Sequence, residues 1–136
     1  MAFSQAFDGV SAYRQIGMAG SVEQADPHRL IGMLFDGALV RIASAAGHIQ
    51  RGAVAEKAVE IGKALEIVGA LRASLDMKAP GGLPQRLDAL YGYIIGRLVN
   101  ANLNNDEAIL DEMAGLLRQV AGGWKAIAPV RTAGAA

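Results

Sequence analysis

The chain has no cysteine, which excludes disulfide scaffolds, thiolate metal sites and thiol nucleophiles together and agrees with a reducing compartment. Aromatic residues are scarce, 5% of 136 positions. Charge of one sign is also missing: thirteen basic and thirteen acidic residues leave a formal net charge of zero. A neutral chain has no long-range field to gather phosphate backbones or anionic lipid, so neither nucleic acid nor a membrane surface is an expected partner. Long hydrophobic runs are interrupted by Asp36, Arg41, Glu66, Arg72, Arg97 and Arg118, and stable membrane insertion is not expected. Met1 to Ala19 lacks a basic stretch followed by an unbroken apolar run. No secretory signal is read there, and the expected location is cytoplasmic. No segment alternates strictly between apolar and polar residues, which removes half-buried strands.

What is present is helical periodicity. Apolar residues make up 52% and charged residues 19%, a composition that packs into one globular domain. Asp26-Pro27 reads as a helix start, a capping carboxylate followed by a residue suited to the first turn. From there Ile31, Leu34, Phe35, Ala38, Ile42, Ala45 and Ile49 form one apolar face. A second segment, about 53–76, carries Ile61, Leu65, Val68, Leu71 or Arg72, and Leu75. Pro80-Gly81-Gly82 breaks it, and Pro84 suits the first turn of a third helix with Leu87, Leu90, Tyr91, Ile94, Leu98 and Ala101. Asn104, with Glu107 three residues on, reads as the capping box of a fourth helix. That helix bears Leu110, Met113, Leu117, Val120 and Trp124 and ends before Pro129.

Short connections between four helices imply antiparallel neighbours. The expected fold is all-α, an antiparallel up-down four-helix bundle with an additional N-terminal arm or short helix. Residues 1–25 form the arm, 26–128 the bundle and 129–136 a loose tail. Gly32, Gly37, Gly62, Gly69, Gly92, Gly96 and Gly115 are among the glycines that fall inside the helices. Close helix contact at small positions is the expected reason; a loose bundle that reshapes around a partner is the alternative.

Catalytic chemistry finds no foothold. His28 and His48 each follow an alanine three residues earlier rather than a glutamate, so the paired Glu-x-x-His of a di-iron bundle is absent. Both histidines are expected at the surface or its boundary. Met33 and Met113 lie on or near helical stripes, where methionine is ordinarily core filling. Gly81-Gly82 follows a helix and lacks the strand and lysine of a phosphate cradle. The serines have no positional link to a histidine and a carboxylate. Binding rather than catalysis is the expected activity, with no cofactor. A haem-carrying bundle and a self-assembling structural bundle remain the alternatives.

The arm holds Phe3, Phe7, Val10, Tyr13 and Ile16 at steps of three or four, weakened by Gly9, Gly17 and Gly20. Such a segment can dock on an apolar groove and come away, or simply cover the core. Val10-Ser11-Ala12-Tyr13-Arg14-Gln15 resembles the amino-terminal tyrosine motif of the FliS family of flagellin export chaperones. Residues 25–38, Asp-Pro followed by Leu-Ile and Met-Leu-Phe-Asp-Gly-Ala, are similar to that family's strongest signature. Leu75-Asp76, Gly81-Gly82, Leu90-Tyr91-x-Tyr93, Leu98-x-x-Ala101-Asn102 and Trp124 follow in family order and spacing. Asp26 stands where the family has serine, Leu83-Pro84 replaces Glu-Ile, and Gly92 replaces an acidic residue.

The resemblance implies a chaperone that holds the disordered carboxy-terminal segment of flagellin, prevents early polymerisation and aids delivery to the flagellar type III export apparatus. The export gate and other flagellar regulators would be further partners, and arm exchange would give a homodimer. By the same resemblance Val10 and Tyr13 plug the client site in the free protein. Ile67, Leu71, Leu98 and Met113, at stripe edges, are expected to line the client groove. Tyr91 and Trp124 are assigned to core and bundle closure, and Asp36 and Asn102 to hydrogen bonds between helices.

Overall fold

The computed structural model describes residues 26–135, with side chains described through residue 127. Four helices follow one another: α1 Pro27–Gln50, α2 Val54–Ala73, α3 Leu83–Asn104 and α4 Glu107–Ala135. Helix α1 packs on α2 and α4, and α3 packs on α2 and α4. That closed square is the up-down bundle the periodicity predicts, an all-α fold. The arm, with Val10 and Tyr13, lies outside the described residues.

The helix ends follow local chemistry. Asp26 accepts from the Arg29 backbone N–H through Oδ1 at 2.7 Å, and Pro27 opens α1. At the other end Gly52 adopts φ 71° to make the short turn into α2. Helix α2 stops at Ala73, short of the expected Asp76. There the Ser74 hydroxyl donates to the Leu71 carbonyl at 2.7 Å, giving the last turn an acceptor-satisfying end. The start of α4 also differs from expectation. Asn104 is the last residue of α3, Asn105 turns left-handed at φ 50°, and Asp106 is the cap, accepting from the Ile109 N–H at 3.3 Å. Asparagine tolerates that left-handed geometry better than most residues. Helix α4 then continues past Pro129, where the sequence suggests a stop. Proline removes one backbone donor, and the carbonyl it frees belongs to the exposed Lys125, where water can satisfy it.

The core is one cluster that includes Phe35, Ile42, Ile61, Val68, Leu71, Tyr91, Ile94, Leu98, Leu110, Met113 and Leu117. Each expected stripe supplies its inward members. Asp36 and Arg41 do not keep α1 from being long and apolar enough to cross a bilayer by length and composition alone. Its most apolar line instead packs into the shared core. Trp124 closes the α1–α4 end: its indole N–H donates to the His28 carbonyl at 2.9 Å, and the two rings meet edge-on at 4.4 Å. His28 is therefore buried rather than at the surface.

Burial pushes the Tyr91 hydroxyl up to about 12. A raised folded-state value means the neutral form is favoured by folding, so this stabilisation is whole below about pH 10 and is lost as pH rises towards 12. Tyr91→Phe is expected to flatten the fall in urea-unfolding free energy between pH 10 and 12. An unchanged alkaline slope would place the ring outside the core.

Candidate functional site

Helix α2 meets α3 along a seam with a polar link at each end. At one end Lys57, only 2% exposed, donates from Nζ to the Asn102 carbonyl at 2.7 Å. The ammonium sits where the final carbonyls of α3 lack helical partners and carry partial negative charge. At the other end Arg72 donates from Nε to Asp88 Oδ1 at 2.7 Å. That hydrogen bond, with the attraction between the two charges, holds the Asp88 carboxyl below its ordinary value and raises the Arg72 guanidinium. Both partners of this pair are exposed enough for water to screen them.

The outer side of the seam is different. On α3 the positions 85, 89, 92, 96, 99 and 103 run along the helix away from the core line 84, 91, 94, 98 and 101. They hold Gln85, Ala89, Gly92, Gly96, Val99 and Leu103, with no charge among them. On α2 the flank next to α3 holds Ala58, Gly62, Leu65 and Gly69. Leu65 and Ile95 are partly buried against the core at the base of this surface, while Leu103 is 75% exposed. The result is a shallow uncharged groove, rimmed by Glu66 on α2 and bounded by the Arg72–Asp88 pair.

The helix glycines take on a new meaning here. Internal close packing requires that an added Cβ collide with a neighbour. At Gly62, Gly69 and Gly96 it would meet, among the described residues and beyond its own helix backbone, nothing within 4 Å. At Gly32 the nearest atom is Lys125 Cε at 3.9 Å, an ordinary contact. Close contact between helices of the bundle is therefore not the role of Gly32, Gly62, Gly69 or Gly96. On α2 and α3, Gly62, Gly69 and Gly96 keep an exterior surface low. Gly115 on α4 is equally open but stands among Asp111, Glu112 and Arg118, which make that exterior polar.

Ile67, Leu71, Leu98 and Met113 are brought together, but inside: their exposures are 5%, 1%, 0% and 0%. They belong to the core rather than to an open groove lining, because each points to the shared interior of the four helices. Asp36 accepts from Lys125 Nζ at 2.8 Å, joining α1 to α4, and Asn102 serves through its backbone carbonyl. Tyr91 is in the core, Trp124 is partly buried against it, and Tyr93 is exposed. Among the described residues no three His, Asp or Glu side chains are grouped as metal donors. Sequence reasoning missed Lys57, although it occupies the core register set by Ile61, Ala64 and Val68. It also missed the outer line of α3, whose small residues resemble filler until the inward line is known.

Comparison with known proteins follows the same chain. The family model described as Flagellar protein FliS matches residues 9–131. A flagellar secretion chaperone of Pseudomonas aeruginosa, FliSB, is 44% identical over 122 residues, covering 90% of this chain and 97% of its own. The flagellar secretion chaperone FliS of Salmonella typhimurium is 40% identical, covering 89% and 90%. That of Bacillus subtilis is 33% identical, covering 85% and 82%.

If the glycines serve an exterior surface, Gly96→Ala should raise unfolding stability by about 0.5–1 kcal/mol, the ordinary helix-interior gain. Urea denaturation followed by circular dichroism measures it; a loss of stability would return the glycine to internal packing.

Proposed function

The chain belongs to the FliS family, and from that premise we propose that it is a cytoplasmic flagellar export chaperone whose client is the disordered carboxy-terminal segment of flagellin. The observation that carries this reading is the uncharged, glycine-lowered groove along the outer α2–α3 seam. Such a surface suits the apolar face of an amphipathic helix, whose side chains fill what the missing Cβ atoms leave open.

A client that is disordered alone and helical when bound covers its apolar face against the groove. That blocks premature polymerisation and keeps the subunit unfolded enough for the type III export apparatus. Coupled folding of this kind buries on the order of 1,000–3,000 Å² and loses about 2–5 kcal/mol to ordering. Binding is thereby specific yet reversible, as delivery requires. Ile67, Leu71, Leu98 and Met113 support the groove from beneath; direct contact with the client would need the helices to part. Val10 and Tyr13 are the arm residues that cover the site until the client arrives, tyrosine offering a large apolar face with a polar tip.

Calorimetry with the carboxy-terminal flagellin segment of the same genome is expected to give one-to-one binding, and Leu103→Asp to weaken it roughly tenfold or more, the effect of a substituted anchor residue. Absence of heat and of co-elution with the native chain would overturn the assignment. Tyr13→Ala should change client affinity or exchange rate while the helical circular dichroism stays intact. Loss of helix in that variant would make Tyr13 structural instead.

A further inference from the structure

Charge is distributed unequally along the groove. At one end the only cation near the seam among the described residues, Lys57, is buried with its ammonium bonded to the Asn102 carbonyl, and Val99 and Leu103 lie on the outer line of α3 at that end. At the other end the Arg72 guanidinium lies across α3. A Cβ at Gly92 would stand 3.3 Å from Nη1 and Nη2 and 3.4 Å from Cζ, so the group rests in the space that glycine leaves. Asp88 holds it there through Nε at 2.7 Å and Nη2 at 3.4 Å, and Nη1 takes no part in that pair. Because Gly92 belongs to the outer line of α3, the cation forms the groove floor at this end.

We infer that Arg72 sets the direction of a helical client, with the carboxy-terminal end of the bound helix over Arg72 and its amino-terminal end towards Leu103. The inference rests on the α2–α3 groove being the client site. A helix end rich in unpaired carbonyls carries partial negative charge and finds N–H donors at Arg72. The reversed helix would bring its own unpaired N–H groups against the guanidinium, whose Nη1 is left over once Asp88 has engaged Nε and Nη2. From Ala58 to Gly69 the uncharged stretch extends about 17 Å, room for about three helical turns. Glu66 rims the middle of this stretch and favours neither direction. The bound segment therefore runs parallel to α2 and antiparallel to α3.

The absence of cysteine makes a direct test simple. Gln85→Cys and Asn104→Cys, each carrying a nitroxide, place a spin label near one end of the groove in the full chain. With an isotope-labelled carboxy-terminal flagellin segment, the label at 85 is expected to broaden the carboxy-terminal residues of the bound helix. The label at 104 should broaden its amino-terminal residues. The opposite pattern overturns the inference. Arg72→Gln is expected to weaken binding about two- to fivefold, the effect of one charge at a helix terminus, with unchanged circular dichroism. Asp88→Asn, which keeps the cation, should not weaken it. Wild-type affinity in Arg72→Gln would overturn Arg72 as the determinant while leaving the chaperone reading standing. Failure of the unsubstituted chain to bind the segment would remove both.

Discussion

Helices α2 and α3 are joined by polar links at the ends of their seam and by apolar packing between them, and this division decides what is left outside. The Lys57 ammonium reaches the Asn102 carbonyl, and the Arg72 guanidinium reaches Asp88. Between those points Ile61, Val68 and Leu71 on one helix and Tyr91, Ile94 and Leu98 on the other turn inward to the common core. These inward side chains are used for folding. The outer flanks retain uncharged residues, the small Gly62, Gly69 and Gly96 beside the exposed Val99 and Leu103, an exterior that does not repel an apolar partner.

That exterior costs stability. Glycine inside a helix forfeits about 0.8–1 kcal/mol against alanine because the unfolded chain loses more freedom on folding. At Gly62, Gly69 and Gly96 no other helix recovers the loss, since among the described residues nothing beyond the helix's own backbone lies within 4 Å of an added Cβ. Proteins commonly carry such local losses where activity needs a surface that folding alone would not select. Glycine at 92 has a second consequence, because it lets Arg72 lie on α3.

Polar groups inside the bundle show how tightly its ends are specified. Lys57 is an ammonium with little access to water, tolerable because the last turn of α3 supplies an acceptor and a favourable dipole. His28 is buried against Trp124 with neither ring nitrogen hydrogen-bonded among the described residues, while its backbone carbonyl accepts from the indole. Each arrangement joins residues far apart in the chain. Lys57 ties the start of α2 to the end of α3, and Trp124 ties α4 to the start of α1.

Much of the fold was legible because period and punctuation are local properties. Asp26-Pro27, the glycine pair before Pro84 and the inward stripes mark the helices in the chain itself, and short connections leave an antiparallel bundle as the solution. The cap of α4 was misplaced by two residues because Asn104, Asn105 and Asp106 can all end or begin a helix. Only three-dimensional geometry selects Asp106. The site was less legible. Ile67, Leu71, Leu98 and Met113 lie on stripe edges, and spacing alone does not tell an edge that faces the core from one that faces a groove. The sequence by itself determined that there are four helices, each with an apolar line, and that no cysteine chemistry is available. Which lines are consumed and which remain open was decided by the tertiary structure, because burial belongs to a residue and its neighbours together, and those neighbours come from other helices.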